Sequence, residues 1–180
     1  MPAKPAEALD TPEFVIPDPD TGSETLATDT IAAKFLGKLE ESPFVMIALD
    51  GRGHSEPLTA LIDDHQPNAL FFFVAKDNRI AKGGPAMAQF ASKGHDFFAC
   101  MSGIIARDFN RQTIDRLWSA HVESWFEGGK DDPNLAMLRF DVQSAELWES
   151  DVSLAGRVKM LFGAKMDADA GGHAVVSGLG

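Results

Sequence analysis

The sequence predicts a mainly β protein, a small antiparallel barrel with helices packed on its outside. Six or seven apolar or alternating segments of strand length run along the chain, and short turns rich in Gly, Asp and Asn separate most of them. A few other segments carry apolar residues at helical spacing. Many short strands joined by tight turns, with few helices, are typical of a barrel whose helices lie outside the sheet.

Composition and charge limit the classes of protein to which this chain can belong. The 180 residues fit one domain, and 44% of them are hydrophobic, which is enough for a sizeable core. A net charge of −11 argues against nucleic acid as a partner, because its phosphates would be repelled. The single cysteine, Cys100, fits a reducing compartment. The N-terminus lacks the pattern of a signal peptide, and no apolar stretch approaches the roughly 20 residues that span a bilayer. We therefore expect a cytoplasmic protein without a membrane partner.

The chain divides into three segments. Residues 1–24 are rich in Pro, Ala, Asp, Thr and Glu, and we expect them to form a mobile N-terminal leader because they carry few apolar side chains. Residues 25–165 are the expected folded domain. The Gly-rich residues 166–180 are expected to be a C-terminal tail.

The domain is expected to begin with a helix and to continue with strands. Thr28 or Asp29 is the expected helix cap, and Pro43 lies just beyond the helix end. The apolar face of this helix consists of Ile31, Phe35, Leu36 and Leu39. Strands are expected over residues 44–49, 57–62, 69–75, 86–91, 97–106, 138–142 and 145–148.

The connections between these strands also have sequence signatures. The turn of residues 50–53 (Asp-Gly-Arg-Gly) predicts a hairpin, and residues 76–82 predict a short helical turn. Asn110 is expected to cap a second helix that continues to Phe126, since apolar residues recur at helical spacing over this stretch. A last amphipathic helix is expected over residues 154–162.

Familiar catalytic motifs are absent from the sequence. It has no Walker loop, no G-x-G-x-x-G after a strand and no G-x-S-x-G elbow, and its five histidines do not fall at metal-ligand spacings. Cys100 lies in an apolar strand, which predicts a buried, inert thiol. No residue can be assigned a catalytic role from these patterns, and no metal site is predicted.

One basic segment points to an anionic ligand. Lys76, Arg79 and Lys82, together with Asn78, directly follow a buried strand, and such a place can offer amide groups and positive charge to a phosphate. The alternative interpretation is a solvated turn, and the spacing of the residues alone favours this alternative. The turn of residues 92–95 (Ser-Lys-Gly-His) is a second basic corner with the same two interpretations.

Several segments together resemble the bacterial general stress proteins of the pyridoxamine 5'-phosphate oxidase-like, FMN-binding split-barrel superfamily. The resemblance covers roughly residues 28–165, with its motifs in the same order. These motifs are Phe71-Phe-Phe-Val-Ala-Lys-Asp-Asn78, Ala91-Ser-Lys-Gly-His-Asp96, Ile114-Asp-Arg-Leu-Trp118, Trp125-Phe-Glu-Gly-Gly-Lys-Asp-Asp-Pro133, Leu138-Arg-Phe-Asp141 and Ala145-Glu-Leu-Trp148.

The resemblance implies a six-stranded antiparallel split barrel of Greek-key type with flanking helices. It also implies a homodimer that holds FMN in a cleft between its subunits, with NAD(P)H-linked flavin oxidoreductase activity as the enzymatic form of this function. Trp125 is a candidate for packing near the flavin ring. In one arrangement, the Trp125 side chain that packs there belongs to the second subunit. The remaining flavin-binding candidates carried over from the family are Thr59, Lys76, Asn78, Arg79, Lys93 and His95.

The chain departs from the family pattern at two places. Relatives have Ser-Arg-Pro-Met in the second strand, where this chain has Ser-Glu-Pro-Leu, so that Glu56 replaces an arginine suited to the phosphate. Relatives also have Thr or Ser where this chain has Val74 and Ala75, which cannot donate a hydrogen bond. The alternative function is therefore a non-enzymatic dimeric binding module that has lost FMN or binds another ligand. A true pyridoxamine-phosphate oxidase is a weaker alternative, because few basic residues follow Pro133.

Overall fold

A computed structural model describes residues 22–150 and 171–177 of the chain. The predicted leader, apart from its last three residues, and the predicted helix over residues 154–162 lie outside these ranges. Within them the elements are α1 (Gly22–Glu41), β1 (Phe44–Leu49), β2 (Arg52–Thr59), β3 (Leu61–Ile62), β4 (Ala69–Ala75), β5 (Gly84–Ala91), β6 (Phe97–Asp108), α2 (Arg111–Leu117), α3 (Ala120–Glu123), β7 (Leu135–Ser150) and β8 (Gly171–Ser177), with short 3-10 turns at Arg79–Lys82 and Gly129–Asp131.

The strands form one antiparallel sheet that curls into a barrel. Its order is β2-β1-β5-β6-β7-β4-β3, and β8 pairs with the second half of β7. The two ends of this order, β2 and β3, are separated along the chain by Ala60 alone, so that the chain itself joins the ends of the sheet. Counting β2 and β3 as one interrupted strand gives six strands in the ring, which confirms the predicted split barrel.

Most strand predictions hold closely. The predicted strand 57–62 is wrong, because β2 begins at Arg52, inside the predicted turn, and Ala60 separates it from β3. β1 and β4 begin and end at the predicted residues, and β4 is buried almost throughout, as its run of bulky side chains predicted. The two last predicted strands are one continuous strand, β7. The strand β8, which lies within the predicted C-terminal tail, had no counterpart in the sequence prediction.

The first helix closes one side of the barrel core. It begins at Gly22, so the expected cap at Thr28 or Asp29 is wrong. Leu26 and Ala27, just before this point, are good helix formers, and Pro43 follows the helix end as predicted. The ring of Phe35 lies 5.6 Å from that of Phe90, edge to face, and 6.2 Å from a third phenylalanine ring, that of Phe97. The apolar face of α1 therefore anchors the helix on β5 and β6.

Two ion pairs fix the same helix at its polar edge. Lys34 Nζ lies 2.7 Å from a carboxylate oxygen of Glu149, and Lys38 Nζ lies 2.8 Å from Asp96. The hydrogen bond from Lys38, together with one from Ser92, lowers the pKa of Asp96 to about 2. The β5–β6 turn is thus held to α1 by charge.

The region after β6 differs from its prediction. A single helix was expected from Asn110 to Phe126, but the chain leaves the helix at Trp118, whose backbone is extended, and Ser119 caps a second short helix. The Trp118 ring packs edge to face on Phe73 of β4, with centroids 5.5 Å apart. This contact with a distant strand, and the local cap, outweigh the helical periodicity. The predicted cap at Asn110 is confirmed.

A buried carboxylate attaches α2 to the barrel. Asp63, just after β3, is 3% exposed and accepts two hydrogen bonds from Arg116 of α2, at 3.2 and 2.5 Å. Arg116 also donates to the hydroxyl of Thr113, which is fully buried. The hydrogen bonds that Asp63 accepts, from Arg116 first and then from the His65 amide and the Gln66 side chain, lower its pKa to about 2. The helix therefore has a fixed position on the outer face of β4.

The longest strand pair contains a bulge at which only glycine fits. Ser102 pairs with Ser144 but the next residue, Gly103, pairs with Val142, which leaves Gln143 without a partner in the ladder. A Cβ atom on Gly103 would lie 2.0 Å from the carbonyl oxygen of Asp141. The bulge thus brings the two backbones into direct contact.

We predict that Gly103→Ala destabilises the fold by about 2–4 kcal/mol, because the backbone of β7 must move to admit the methyl group. Gly37→Ala is the matched control: a Cβ there meets no atom within 4 Å, and helix propensity favours it by up to about 1 kcal/mol. Urea unfolding of the two variants measures the difference. Equal stabilities would show that the close approach at Gly103 is not a constraint.

Candidate functional site

Two of the predicted phosphate-binding residues lie at one mouth of the barrel. β4 ends at Ala75, and the chain then turns into the 3-10 turn Arg79–Lys82. The side chain of Asn78 caps this turn by accepting a hydrogen bond from the Ile80 amide at 2.9 Å. Ile80 is 1% exposed and belongs to the barrel core. The turn therefore plugs the barrel with Ile80 and holds Asn78 and Arg79 beside the plug.

A carboxylate from β2 meets these two residues. Asn78 Nδ2 donates to Glu56 Oε2 at 3.3 Å, and Arg79 Nε lies 3.4 Å from Glu56 Oε1. Arg79 also donates from Nη1 to the carbonyl of His54, at 3.1 Å. The three side chains of Glu56, Asn78 and Arg79, which we call the mouth cluster, join β2 to the end of β4.

The mouth cluster leaves one buried acceptor without a donor. The Glu56 side chain is 16% exposed, whereas that of Arg79 is 55% exposed. Glu56 Oε1 is buried, and no group in the described part of the chain donates a hydrogen bond to it, since the Arg79 contact is an ion pair without hydrogen-bond geometry. A buried carboxylate oxygen in this state favours a hydrogen-bond donor.

Arg107, near the end of β6, holds the loop that carries this cluster. Its Nε donates to the carbonyl of Ala81 at 3.0 Å, and its Nη2 donates to the carbonyl of Lys76 at 2.8 Å. The two acceptors lie on either side of Asn78 and Arg79 in the sequence. Sequence reasoning missed Arg107; its only signal was a cation at the end of an otherwise apolar strand.

Lys76 belongs to a different surface. It lines a cavity of about 320 Å³ between the ends of β4 and β6, the start of α2 and the loop before β7. Two other cations of this cavity are paired, since Arg111 lies 3.0 Å from Asp131 and Lys130 lies 2.6 Å from Asp115. Lys76 is thus near the mouth cluster in sequence but lines a neighbouring cavity.

The other predicted site residues lie apart from the mouth cluster within one chain. Lys93 and His95 lie in the exposed β5–β6 turn, at the opposite end of β5 from the 3-10 turn. At about 3.3 Å per residue, the eight residues of β5 separate these two ends by roughly 23 Å. Thr59 lies opposite Phe44 at the end of β2, and Trp125 is 74% exposed beyond α3.

Cys100 is not the buried thiol that the sequence predicted. It is half-buried, because it lies at an outward-facing position of β6 opposite Glu146. His121 lies on the surface. The described residues contain no group of three or more His, Cys, Asp and Glu side chains placed to hold a metal ion.

Fold and cluster together define a split-barrel protein with a polar site at the barrel mouth. The family model described as pyridoxamine 5'-phosphate oxidase like matches residues 31–170. The chain belongs to this family, which confirms the resemblance seen in the sequence.

Solved structures of general stress proteins are similar to this chain. A protein described as general stress protein 26, from Jannaschia sp. CCS1, is 26% identical with a TM-score of 0.70, over 83% of this chain and 98% of its own. A general stress family protein from Xanthomonas campestris is 40% identical with a TM-score of 0.65, over 70% and 91%. The general stress FMN/FAD binding protein from Xanthomonas citri is 40% identical with a TM-score of 0.66, over 70% and 93%. No curated protein matches the chain.

None of the described helices is long and apolar enough to cross a membrane.

The mouth cluster does not fit the phosphate of FMN as it stands. Glu56 already accepts a hydrogen bond from Asn78 and pairs with Arg79, so two of the expected phosphate donors face a carboxylate of the chain itself. A phosphate there would add a second negative group beside Glu56. Val74 is buried in the barrel core, and neither it nor Ala75 carries a polar side-chain atom that could compensate.

We predict that Arg107→Met loosens the loop that carries the mouth cluster. Amide hydrogen exchange at residues 78–83 should accelerate about tenfold or more, because two hydrogen bonds to the loop carbonyls are lost. Arg111→Met is the control, since Arg111 lines the same cavity as Arg107 but bonds to the carbonyl of Lys130 instead of this loop. Equal exchange rates in the two variants would rule out the positioning role of Arg107.

Proposed function

We propose that this chain is a flavin-binding general stress protein that acts as a homodimer in the cytoplasm, with the flavin between the two subunits. The observation that carries the proposal is the meeting of Asn78 and Arg79 with Glu56 of β2 at the barrel mouth, since the first two were expected to bind the flavin. The 40% identity to a general stress FMN/FAD binding protein supports it. A single half-buried thiol is in keeping with a reducing compartment.

An apolar face of the barrel supports the homodimer. The outward-facing positions of β1, β5, β6 and the second half of β7 form neighbouring rows, in which Phe98 lies opposite Trp148 and Pro85 opposite Ile104. Several large apolar side chains of this face are more than a third exposed: Phe44, Met46, Met87, Phe98, Ile104 and Trp148. Polar residues such as Gln89 and Glu146 interrupt these rows, but so many exposed apolar side chains on one face mark an interaction site.

The described helices α2 and α3 do not cover this face. α2 and α3 pack on the other side of the barrel, where Phe71 of β4 clusters with Ile114 and Phe73 clusters with Trp118. A second copy of the chain is the partner that we propose for the apolar face. Lys93, His95 and Trp125, which lie apart from the mouth cluster in one subunit, would then reach a flavin bound there only from the other subunit.

The role of the protein in this proposal is to bind and orient the flavin. A bound flavin supplies the redox chemistry through its own ring system. The first candidate function is enzymatic, an NAD(P)H-linked flavin oxidoreductase activity. Glu56 favours the second candidate, a non-enzymatic dimeric binding module, because its carboxylate opposes the phosphate of FMN. Oxidation of NADPH or NADH by the flavin-loaded dimer, followed at 340 nm, separates the two candidates.

Purified protein is predicted to bind a flavin at one molecule per chain. Riboflavin, FMN and FAD, each added at micromolar concentration and followed by desalting, should leave visible flavin bands with at least one of the three. The double variant Asn78→Ala, Arg79→Met should bind at least about tenfold more weakly, since both polar groups of the loop are removed. A folded wild-type protein that binds none of the three flavins contradicts the proposal.

The dimer is predicted to depend on the apolar face. The double variant Met46→Glu, Met87→Glu should elute as a monomer of 19.4 kDa, whereas the wild-type protein elutes at twice that mass, because two charges would be buried in the interface. Gln112→Glu, on the exposed surface of α2, is the control that should leave the dimer intact. Light scattering after gel filtration measures the mass, and a monomeric wild-type protein would refute this assembly.

A further inference from the structure

Because Glu56 repels a phosphate, its charge indicates which ligand the mouth cluster accepts. The inference rests on the proposed flavin-binding function and concerns the group at the end of the flavin's polyol side chain. The cluster combines one anion, Glu56, with one cation, Arg79, and one amide, Asn78. Its charge is therefore balanced before any ligand arrives.

The hydrogen-bonding capacity of the cluster is not balanced in the same way. Glu56 Oε1 is buried and accepts no hydrogen bond from the described residues. Arg79 carries five N–H groups, and the single bond it makes within the described chain goes to the carbonyl of His54. Asn78 carries two side-chain N–H groups, and one of them donates to Glu56. The cluster thus offers an acceptor and spare donors side by side.

A hydroxyl group satisfies both sides of this arrangement. Its O–H can donate to Glu56 Oε1, while its oxygen accepts from Arg79 or Asn78. A phosphate dianion can accept from Arg79 and Asn78 but has no hydrogen to give to Glu56, and the two negative groups repel each other at short range. Burial of Glu56 strengthens this repulsion, because little water lies between the charges.

We propose that the mouth cluster recognises the terminal hydroxyl of an unphosphorylated flavin, so that the chain binds riboflavin in preference to FMN. Glu56 is the specificity-determining residue of this site. It excludes the phosphate by its charge and binds the hydroxyl through Oε1, the oxygen to which no described residue donates a hydrogen bond. The exposed Arg79 side chain, whose Nε lies 3.4 Å from this oxygen, shifts to admit the hydroxyl. The ligand class is thus a flavin with a neutral polyol chain.

The dissociation constants of riboflavin and FMN, measured by quenching of flavin fluorescence, test this assignment on the full-length protein. The wild-type protein should bind riboflavin at least about tenfold more tightly than FMN. Glu56→Arg should reverse the order, since it supplies a cation at the same position. Glu56→Gln should reduce the preference to less than about threefold, because it removes the charge and keeps the side-chain shape. Glu40→Gln, on the exposed surface of α1, should leave the preference unchanged.

The outcomes separate this assignment from the function on which it rests. Wild-type protein that binds FMN as tightly as riboflavin, or more tightly, overturns the assignment and leaves flavin binding intact. Wild-type protein that binds neither flavin overturns both. Circular dichroism confirms that each variant is folded, and if a Glu56 variant does not fold, the ratio of the two constants in the wild-type protein decides the question.

Discussion

The passage of β2 into β3 across Ala60 is the constraint on which the site depends. β2 pairs with β1, and β3 pairs with β4, so this single residue joins the two ends of the sheet into a ring. Ala60 is 3% exposed, and its amide donates to the carbonyl of Pro43 at 2.7 Å. Because the ring is closed there, Glu56 on β2 lies within reach of the loop that follows β4. An open sheet would separate the carboxylate from Asn78 and Arg79.

The residues around the mouth cluster act as a scaffold for it. Ile80 inserts into the core and fixes the 3-10 turn, while Arg107 bonds to backbone carbonyls on either side of Asn78 and Arg79. The polar side chains are therefore held by apolar packing on one side and by hydrogen bonds on the other. Such preorganisation is what a binding site requires, because a ligand then meets groups that are already ordered.

Local sequence patterns predicted most of the barrel and only part of the site. The apolar runs of β1 and β4, each bounded by turn residues, specify strands without reference to the rest of the chain. The helix break at Trp118 depends on the ring of Phe73, a contact with another element that periodicity does not contain. The sequence also indicated that Glu56 opposes a phosphate. It could not show that this carboxylate bonds to Asn78 and Arg79, nor that Arg107 holds their loop, because these contacts join residues 22 to 31 positions apart.

Through Glu56, the barrel mouth is a site for a hydroxyl group rather than for a phosphate. Two crystal structures of the dimer, one grown with riboflavin and one with FMN, would show which group this site holds. We expect a ligand hydroxyl oxygen at about 2.7 Å from Glu56 Oε1, with the Asn78 contact preserved and the exposed Arg79 side chain shifted to donate to the same hydroxyl. A phosphate held by Arg79, with the Glu56 carboxylate turned away from it, would show that Glu56 does not select a hydroxyl.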